Sequence, residues 1–158
     1  MREQTHVRWL IRRDWPAVLD IEAASSPNPW DEGFFLAVLR NRNVIGMVAT
    51  AGQDDAARVV GFMVYELHPE GLSLMNLAVS PEDRRRGVGR AMAGKLFGKL
   101  TPWRRTWLET VVRESDLPRQ LFFRAIGFRA EKVCREAFDD TGEDSYLFRY
   151  TLAVPAGS

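Results

Sequence analysis

The chain has 158 residues, 46% of them hydrophobic and 27% charged, which suits one domain with a full core and excludes an intrinsically disordered chain. A formal net charge of +1 argues against bulk electrostatic binding of nucleic acid. No apolar run reaches the roughly 18 residues of a membrane helix, and Arg2 lacks the apolar core of a signal peptide behind it. The one cysteine, Cys134, excludes an internal disulfide and agrees with a reducing compartment, so the expectation is a cytoplasmic protein. Cys134 lies in an alternating run and reads as a packed, inert thiol. The expected domain is 1–158, with a flexible tail over 154–158.

In chain order, Val7 to Ile11 reads as a short strand. Asp14-Trp15-Pro16 opens a helix, with Asp14 placed to cap it and Pro16 tolerated in the first turn. That helix carries on to Ser25-Ser26, and Pro27-Asn28-Pro29 breaks the chain. A second helix spans Asp31 to Arg40, with Phe34, Phe35, Val38 and Leu39 on one face. Strands follow at Val44 to Thr50, Val59 to Leu67 and Leu72 to Val79. They are separated by polar turns at Gly52 and at His68-Pro69-Glu70-Gly71. Gly87 to Leu100 is the central helix, and Thr106 to Val112 a fifth strand. Leu117 to Ile126 is a helix closed by Gly127, and two strands, Phe128 to Phe138 and Tyr146 to Leu152, end the chain. Strands mixed with single crossover helices imply an α/β sheet with antiparallel and parallel pairs.

The stretch from Met75 to Arg90 carries the chemistry. A strand ends at Val79, Ser80-Pro81 turns, and Arg84-x-x-Gly87-x-Gly89 leads straight into a helix. Unpaired N–H groups and the helix dipole make such a start an anion site. Gly87 and Gly89 would let the backbone take positive φ and approach a ligand. Arg84, Arg85, Arg86 and Arg90 add charge, and a pyrophosphate is the natural guest. A Walker A loop needs Gly-Lys-Ser/Thr and is absent, and the third glycine of a dinucleotide fingerprint is replaced by Met92.

This spacing after a Leu-Ala-Val strand resembles motif A of the GNAT acyltransferases. The resemblance continues in Asp116 to Phe128, which is similar to the family's Asn-x-x-Ala-x-x-Leu-Tyr-x-x-x-Gly-Phe segment. Pro29-Trp30-Asp31-Glu32-Gly33-Phe34-Phe35 and Glu143-Asp144-Ser145-Tyr146 resemble elements of its ribosomal-protein-alanine N-acetyltransferase branch. Together these cover roughly residues 6 to 152. The resemblance implies a mixed, mostly antiparallel sheet of about seven strands with about four helices, splayed between the fourth and fifth strands. It implies acetyl-CoA as cosubstrate and no metal. It places cofactor contacts on Leu77, Ala78 and Val79, on Arg84, Arg85, Arg86, Gly87, Val88, Gly89 and Arg90, and on Asp116 and Phe123. An amide in the Leu77–Val79 run, with Val79 as the candidate, would polarise the thioester carbonyl.

The chain departs from the family pattern at three positions. Asp116 replaces the usual Asn and also suits an N-cap. Phe123 replaces the usual Tyr and has no proton to give a departing thiolate. Val111 stands where an ungapped alignment puts the base glutamate. Glu109, two residues earlier on the same strand face, is the candidate base, with Glu66, His68 and Tyr146 behind it. Trp15, Trp30, Trp103 and Trp107 read as core or interface anchors. The expected activity is direct acetyl transfer to an amine, the N-terminal α-amine of a protein, with a ribosomal protein among the candidates. A small-molecule amine, or a CoA-binding module with little catalysis, are the alternatives. The expected partners are acetyl-CoA and the acceptor, with no nucleic acid and no membrane, in a monomer or homodimer.

Overall fold

A computed structural model describes residues 4–135 and 142–153. Seven strands form one sheet in the order β1-β2-β3-β4-β5-β7-β6. They are β1 (Thr5–Trp9), β2 (Val44–Ala51), β3 (Arg58–Leu67), β4 (Gly71–Val79), β5 (Trp107–Arg113), β6 (Arg129–Cys134) and β7 (Ser145–Thr151). Four α-helices accompany them: α1 (Trp15–Ser25), α2 (Glu32–Leu39), α3 (Val88–Phe97) and α4 (Leu117–Ala125). Every strand pair is antiparallel except β4 with β5, the expected mixed sheet. Among the described residues no helix is long and apolar enough to cross a membrane.

The sheet is covered on both faces, which is why β2 and β3 read as nearly continuous apolar runs. Along β3, Phe62 and Val64 turn to one face and join Val18, Ile21 and Phe35 of α1 and α2. Met63 and Tyr65 turn to the other and join Met92 and Leu96 of α3. Burial pushes the Tyr65 hydroxyl up to about 12. At roughly 1.5–3 kcal/mol for each large side chain withdrawn from water, these two clusters hold the helices on the sheet.

Several local expectations need correction. Asp14 does not cap α1: its backbone is helical and its side chain makes no cap bond there. Instead it is buried, takes two 2.8 Å bonds from Arg8, and accepts the Ile11 N–H at 2.8 Å. Burial alone would raise its carboxyl, but Arg8, the Ile11 amide and Arg13 bring it below the ordinary range. Helix α2 does start as read, with Asp31 accepting the Phe34 N–H at 2.8 Å. Helix α3 ends at Phe97 rather than Leu100, because the chain turns at Gly98. Trp15 and Trp30 pack around Phe35, whereas Trp103 is 73% exposed in the turn before β5 and anchors nothing in the core. The expected end of a strand at Phe138, and the tail 154–158, lie outside the described residues.

Candidate active site

The site begins where β4 leaves β5. The two strands pair only from Gly71 opposite Trp107 to Leu74 opposite Thr110. At that point the β3–β4 register slips between Val64 and Tyr65, leaving Met75 as the extra residue of a bulge in β4. A bulge bends its strand and raises its twist, so β4 turns away from β5 where pairing stops. The Thr110 hydroxyl donates to the Leu74 carbonyl at 3.1 Å and closes the base of the fork. Beyond it, Asn76 to Val79 stay paired with β3 on one side only, so their other backbone edge is open to a guest. Leu77 and Ala78 bury their side chains in the two cores while the backbone edge stays available.

The open edge leads to the basic loop. Gly87 is the N-cap of α3 at φ 83°, and a Cβ there would meet nothing within 4 Å, so the surface is open and the conformation favours glycine. Gly89 does not share that conformation. It is a helical residue whose missing Cβ would sit 3.1 Å from the Phe122 ring, so its role is close packing of α3 against α4. Arg85 takes the second left-handed position of the loop, at φ 64°. The first helical bond runs from Ala91 N–H to Gly87 O at 3.0 Å. The amides of Val88, Gly89 and Arg90 therefore precede the ladder at the helix end, and no side chain caps it.

The four arginines divide into two pairs. Arg84 is exposed but tied back to the protein: its Nε donates to the Val79 carbonyl at 3.2 Å and its Nη2 to the Ser25 hydroxyl at 3.3 Å. Arg86 lies 3.5 Å from Asp83, a carboxylate 5% exposed beneath the loop that Arg58 also holds at 2.8 Å. Among the described residues Arg85 and Arg90 make no ion pair, and both are exposed.

Helix α4 forms the other wall. Asp116 caps it, accepting the Arg119 N–H at 3.1 Å, and its carboxylate lies 3.4 Å from the Arg119 guanidinium. Arg119, at the position where the family pattern carries Ala, was not singled out in the sequence. Burial lowers the pKa of its guanidinium, opposed by Asp116 and Glu22 and reinforced by Arg84, so it stands between α4, α1 and the start of the loop. Phe123 is 1% exposed and stacks against Phe122 and Phe128, which makes it part of the core under α4.

Glu109 lies one rung below the fork. In register it faces Ser73 of β4 and Arg149 of β7. Arg149 donates to its Oε1 from Nε at 2.8 Å and from Nη2 as well, and reaches Glu131 at 3.7 Å. The same guanidinium lies over the Trp107 ring, 5.1 Å from its centre. Val111 is exposed at the open end, and Cys134 sits half-buried on the outermost strand, two strands from the fork. Tyr146 pairs with Val112 in the β5–β7 ladder and borders an open groove of about 890 Å³ between α4 and β6. Thr110, Ser73, Arg149 and Asp83 were missed in the sequence, since each is an ordinary strand or turn residue until its partner is brought across the sheet. Among the described residues no group of three or more metal-ligating side chains gathers.

A sequence model of the Acetyltransferase (GNAT) family matches residues 5–128. The [ribosomal protein bS18]-alanine N-acetyltransferase of Escherichia coli K12 is 26% identical over 145 residues, covering 89% of this chain and 93% of that protein. The L-2,4-diaminobutyric acid acetyltransferase of Nocardia farcinica is 35% identical over 89 residues, covering 54% of this chain and 46% of its own. Among solved structures, the ribosomal-protein-S18-alanine N-acetyltransferase from Escherichia coli superposes with a TM-score of 0.80 at 21% identity, covering 98% of each chain.

Proposed function

The chain belongs to the GNAT acetyltransferase family, and on that premise we propose that it transfers acetyl from acetyl-CoA to the N-terminal α-amine of a protein, a ribosomal protein foremost. The observation that carries this reading is one continuous path. Free amides at the start of α3 adjoin an unpaired β4 edge, and that edge ends at a fork beside Glu109. In this reading the amides of Val88, Gly89 and Arg90, with Arg85 and Arg90, hold the pyrophosphate. The open edge over Leu77, Ala78 and Val79 takes the pantetheine arm. Asp116 borders the arm from α4 as an acceptor, and Phe123 backs that wall from the core beneath. Arg84 and Arg86 shape the loop from beneath.

The acceptor nitrogen attacks the thioester carbonyl directly. A C–N bond forms, the C–S bond breaks, and CoA leaves as a thiolate that takes a proton from solvent. Amides on the β4 edge, with Val79 among them, stabilise the oxygen as charge develops. Positioning supplies much of the remaining rate. Glu109 is a carboxylate one rung below the fork, and its charge draws in the protonated amine, which loses its proton there to a neighbouring side chain or to solvent. Cys134, two strands away, takes no part, so there is no acyl-enzyme.

The choice of amine follows from acid–base chemistry. An α-amine has a pKa near ~8 and a lysine near ~10.4, so at neutral pH about a tenth of the former is uncharged and well under a hundredth of the latter. A site whose usual tyrosine position is a buried phenylalanine suits the weaker base. The E. coli relative named for alanine N-acetylation of bS18 supports this reading across 89% of the chain. The diaminobutyrate relative motivates a small-amine acceptor as the second reading.

Release of CoA thiol from acetyl-CoA tests both, across N-terminal peptides, lysine side-chain peptides and small diamines. Turnover with free α-amino peptides and little with the others is the expected result. Turnover confined to diamines overturns the protein acceptor. No turnover with any amine, despite acetyl-CoA binding, reduces the chain to a CoA-binding module.

A further inference from the structure

One polar cluster extends beyond the proposed site. Register places Glu66 of β3 opposite Ser73 of β4, Ser73 opposite Glu109 of β5, and Glu109 opposite Arg149 of β7. Partners in register put their side chains on one face, so these four form a polar row across the sheet, one rung below the fork. The row belongs to the face that carries α1 and α2, since Glu66 continues the alternation of Phe62 and Val64. At its β3 end sits His68. The Ser73 hydroxyl lies 2.9 Å from His68 Nε2, and Glu66 Oε1 lies 3.5 Å from the same nitrogen. The turn that positions His68 is closed by its own N–H on the Gly71 carbonyl at 2.9 Å, and Arg105 Nε holds its carbonyl at 3.0 Å. Trp107 packs 5.6 Å from the imidazole centre.

We propose that Ser73 and His68 are the proton exit of the acetyl transfer, with Ser73 relaying the acceptor's proton from the fork to the imidazole. This rests on the amine-acetylating reading above. The alternative route would keep the amine's proton on Glu109, whose Oε1 already takes two bonds from the Arg149 guanidinium. An imidazole is the side chain matched to that task. In the step, the ammonium's proton passes to the Ser73 oxygen as the serine's own proton passes to Nε2. Ser73 ends neutral and unchanged, His68 becomes imidazolium beside Glu66, and the amine nitrogen is left with its lone pair. The His68 side chain is 35% exposed, so the imidazolium returns the proton to solvent. Among the described residues, the charged groups around this ring are Glu66 at the end of β3, Arg105 on its backbone, and the Glu109–Arg149 pair across Ser73 and Trp107. Glu109 then fixes the row and attracts the incoming ammonium, while the serine carries the proton away.

The test compares His68→Gln, His68→Ala and Ser73→Ala with the wild type in CoA release from the best acceptor, over a pH series. Thermal shift by acetyl-CoA reports the fold and the cofactor site. The expected result is a fall in kcat of about 10- to 100-fold near neutral pH that shrinks as pH approaches the amine's own pKa near ~8. The acetyl-CoA shift should be retained, and added imidazole should restore part of the His68→Ala rate. A defect in His68→Gln that is the same at every pH and that imidazole does not relieve in His68→Ala assigns the ring a structural role and overturns the relay. So does a wild-type profile in Ser73→Ala, which decides the matter if the His68 variants fail to fold. Wild-type enzyme inactive on every amine overturns the function reading and the relay with it. An active wild type with unchanged variants overturns the relay alone.

Discussion

The guanidinium of Arg149 grips the carboxylate of Glu109 across the β5–β7 pair, with its Nε 2.8 Å from Oε1 and its plane over the Trp107 ring. A carboxylate held by a guanidinium through one oxygen has a fixed direction, which an ammonium-binding group requires. Arg149→Gln removes the charge and the grip while leaving a side chain to cover Trp107. It should lower kcat about 10-fold and leave the KM for acetyl-CoA unchanged, because the cofactor path lies on the other side of the fork. Steady-state kinetics with each substrate varied checks it. A change confined to the acetyl-CoA KM would place Arg149 on the cofactor instead.

Glu109→Gln nearly keeps the shape and removes the negative charge. Its rate defect should be largest near neutral pH and shrink as pH rises, since less of the amine is then charged for the carboxylate to attract. Lysine side-chain peptides should remain poor substrates throughout the series. A defect of constant size from pH 6 to 9 would mean that Glu109 only holds the polar row in place and does not attract the ammonium.

Gly87 occupies a left-handed conformation with open space where a Cβ would go. Gly87→Glu pays about 1 kcal/mol or more in backbone strain and points a negative charge at the phosphate site. Acetyl-CoA should no longer raise the Tm of this variant, although the wild type gains stability by binding ligand only when folded. Gly87→Ala carries the strain without the charge and should keep part of the shift. Calorimetric titration with acetyl-CoA gives the same ranking, and equal affinities for Gly87→Glu and wild type would refute the loop assignment.

Phe123→Tyr restores the family's usual residue but inserts a hydroxyl into an aromatic cluster with Phe122 and Phe128. An unpartnered buried hydroxyl costs about 1–3 kcal/mol. The expected result is a lower Tm without a gain in kcat. A rise in kcat at constant stability would show that the hydroxyl reaches the fork and donates there.

Asp14 is buried, bonded to Arg8 and the Ile11 amide, and its carboxyl sits below its ordinary value. A carboxyl depressed in the folded state contributes stability that is present above its unfolded pKa of about 3.9 and lost as pH falls through the folded value. Asp14→Asn should therefore cost roughly 2 kcal/mol near neutrality and flatten the acid side of a stability-against-pH curve. Urea unfolding at pH 7 and below pH 3 measures both ends. An equal difference between variant and wild type at the two pH values would remove Asp14 from the acid response.

The sequence by itself determined the local chemistry. Arg84-x-x-Gly87-x-Gly89 after Leu77-Ala78-Val79 specifies an amide-lined helix start, and Asp116 before Leu117-Pro118 specifies a cap. Both depend on residues within one turn of each other, where spacing alone fixes geometry. The strands were legible for the same reason, through apolar runs long enough to span a buried sheet. Asp14 was misread because its side chain had a second choice, a guanidinium on β1 that no local rule anticipates. Only the tertiary structure decided the rest. Leu74 and Thr110 meet at the base of the fork from 36 residues apart, Asp83 meets Arg58 from 25, and Glu109 meets Arg149 from 40. Strand register is set by the burial of the whole sheet, and a slip of one residue would turn each of these side chains to the opposite face. Ser73 and His68 follow the same logic: each is unremarkable along the chain, and their place beside Glu109 exists only because β4 and β5 pair for four residues and then part.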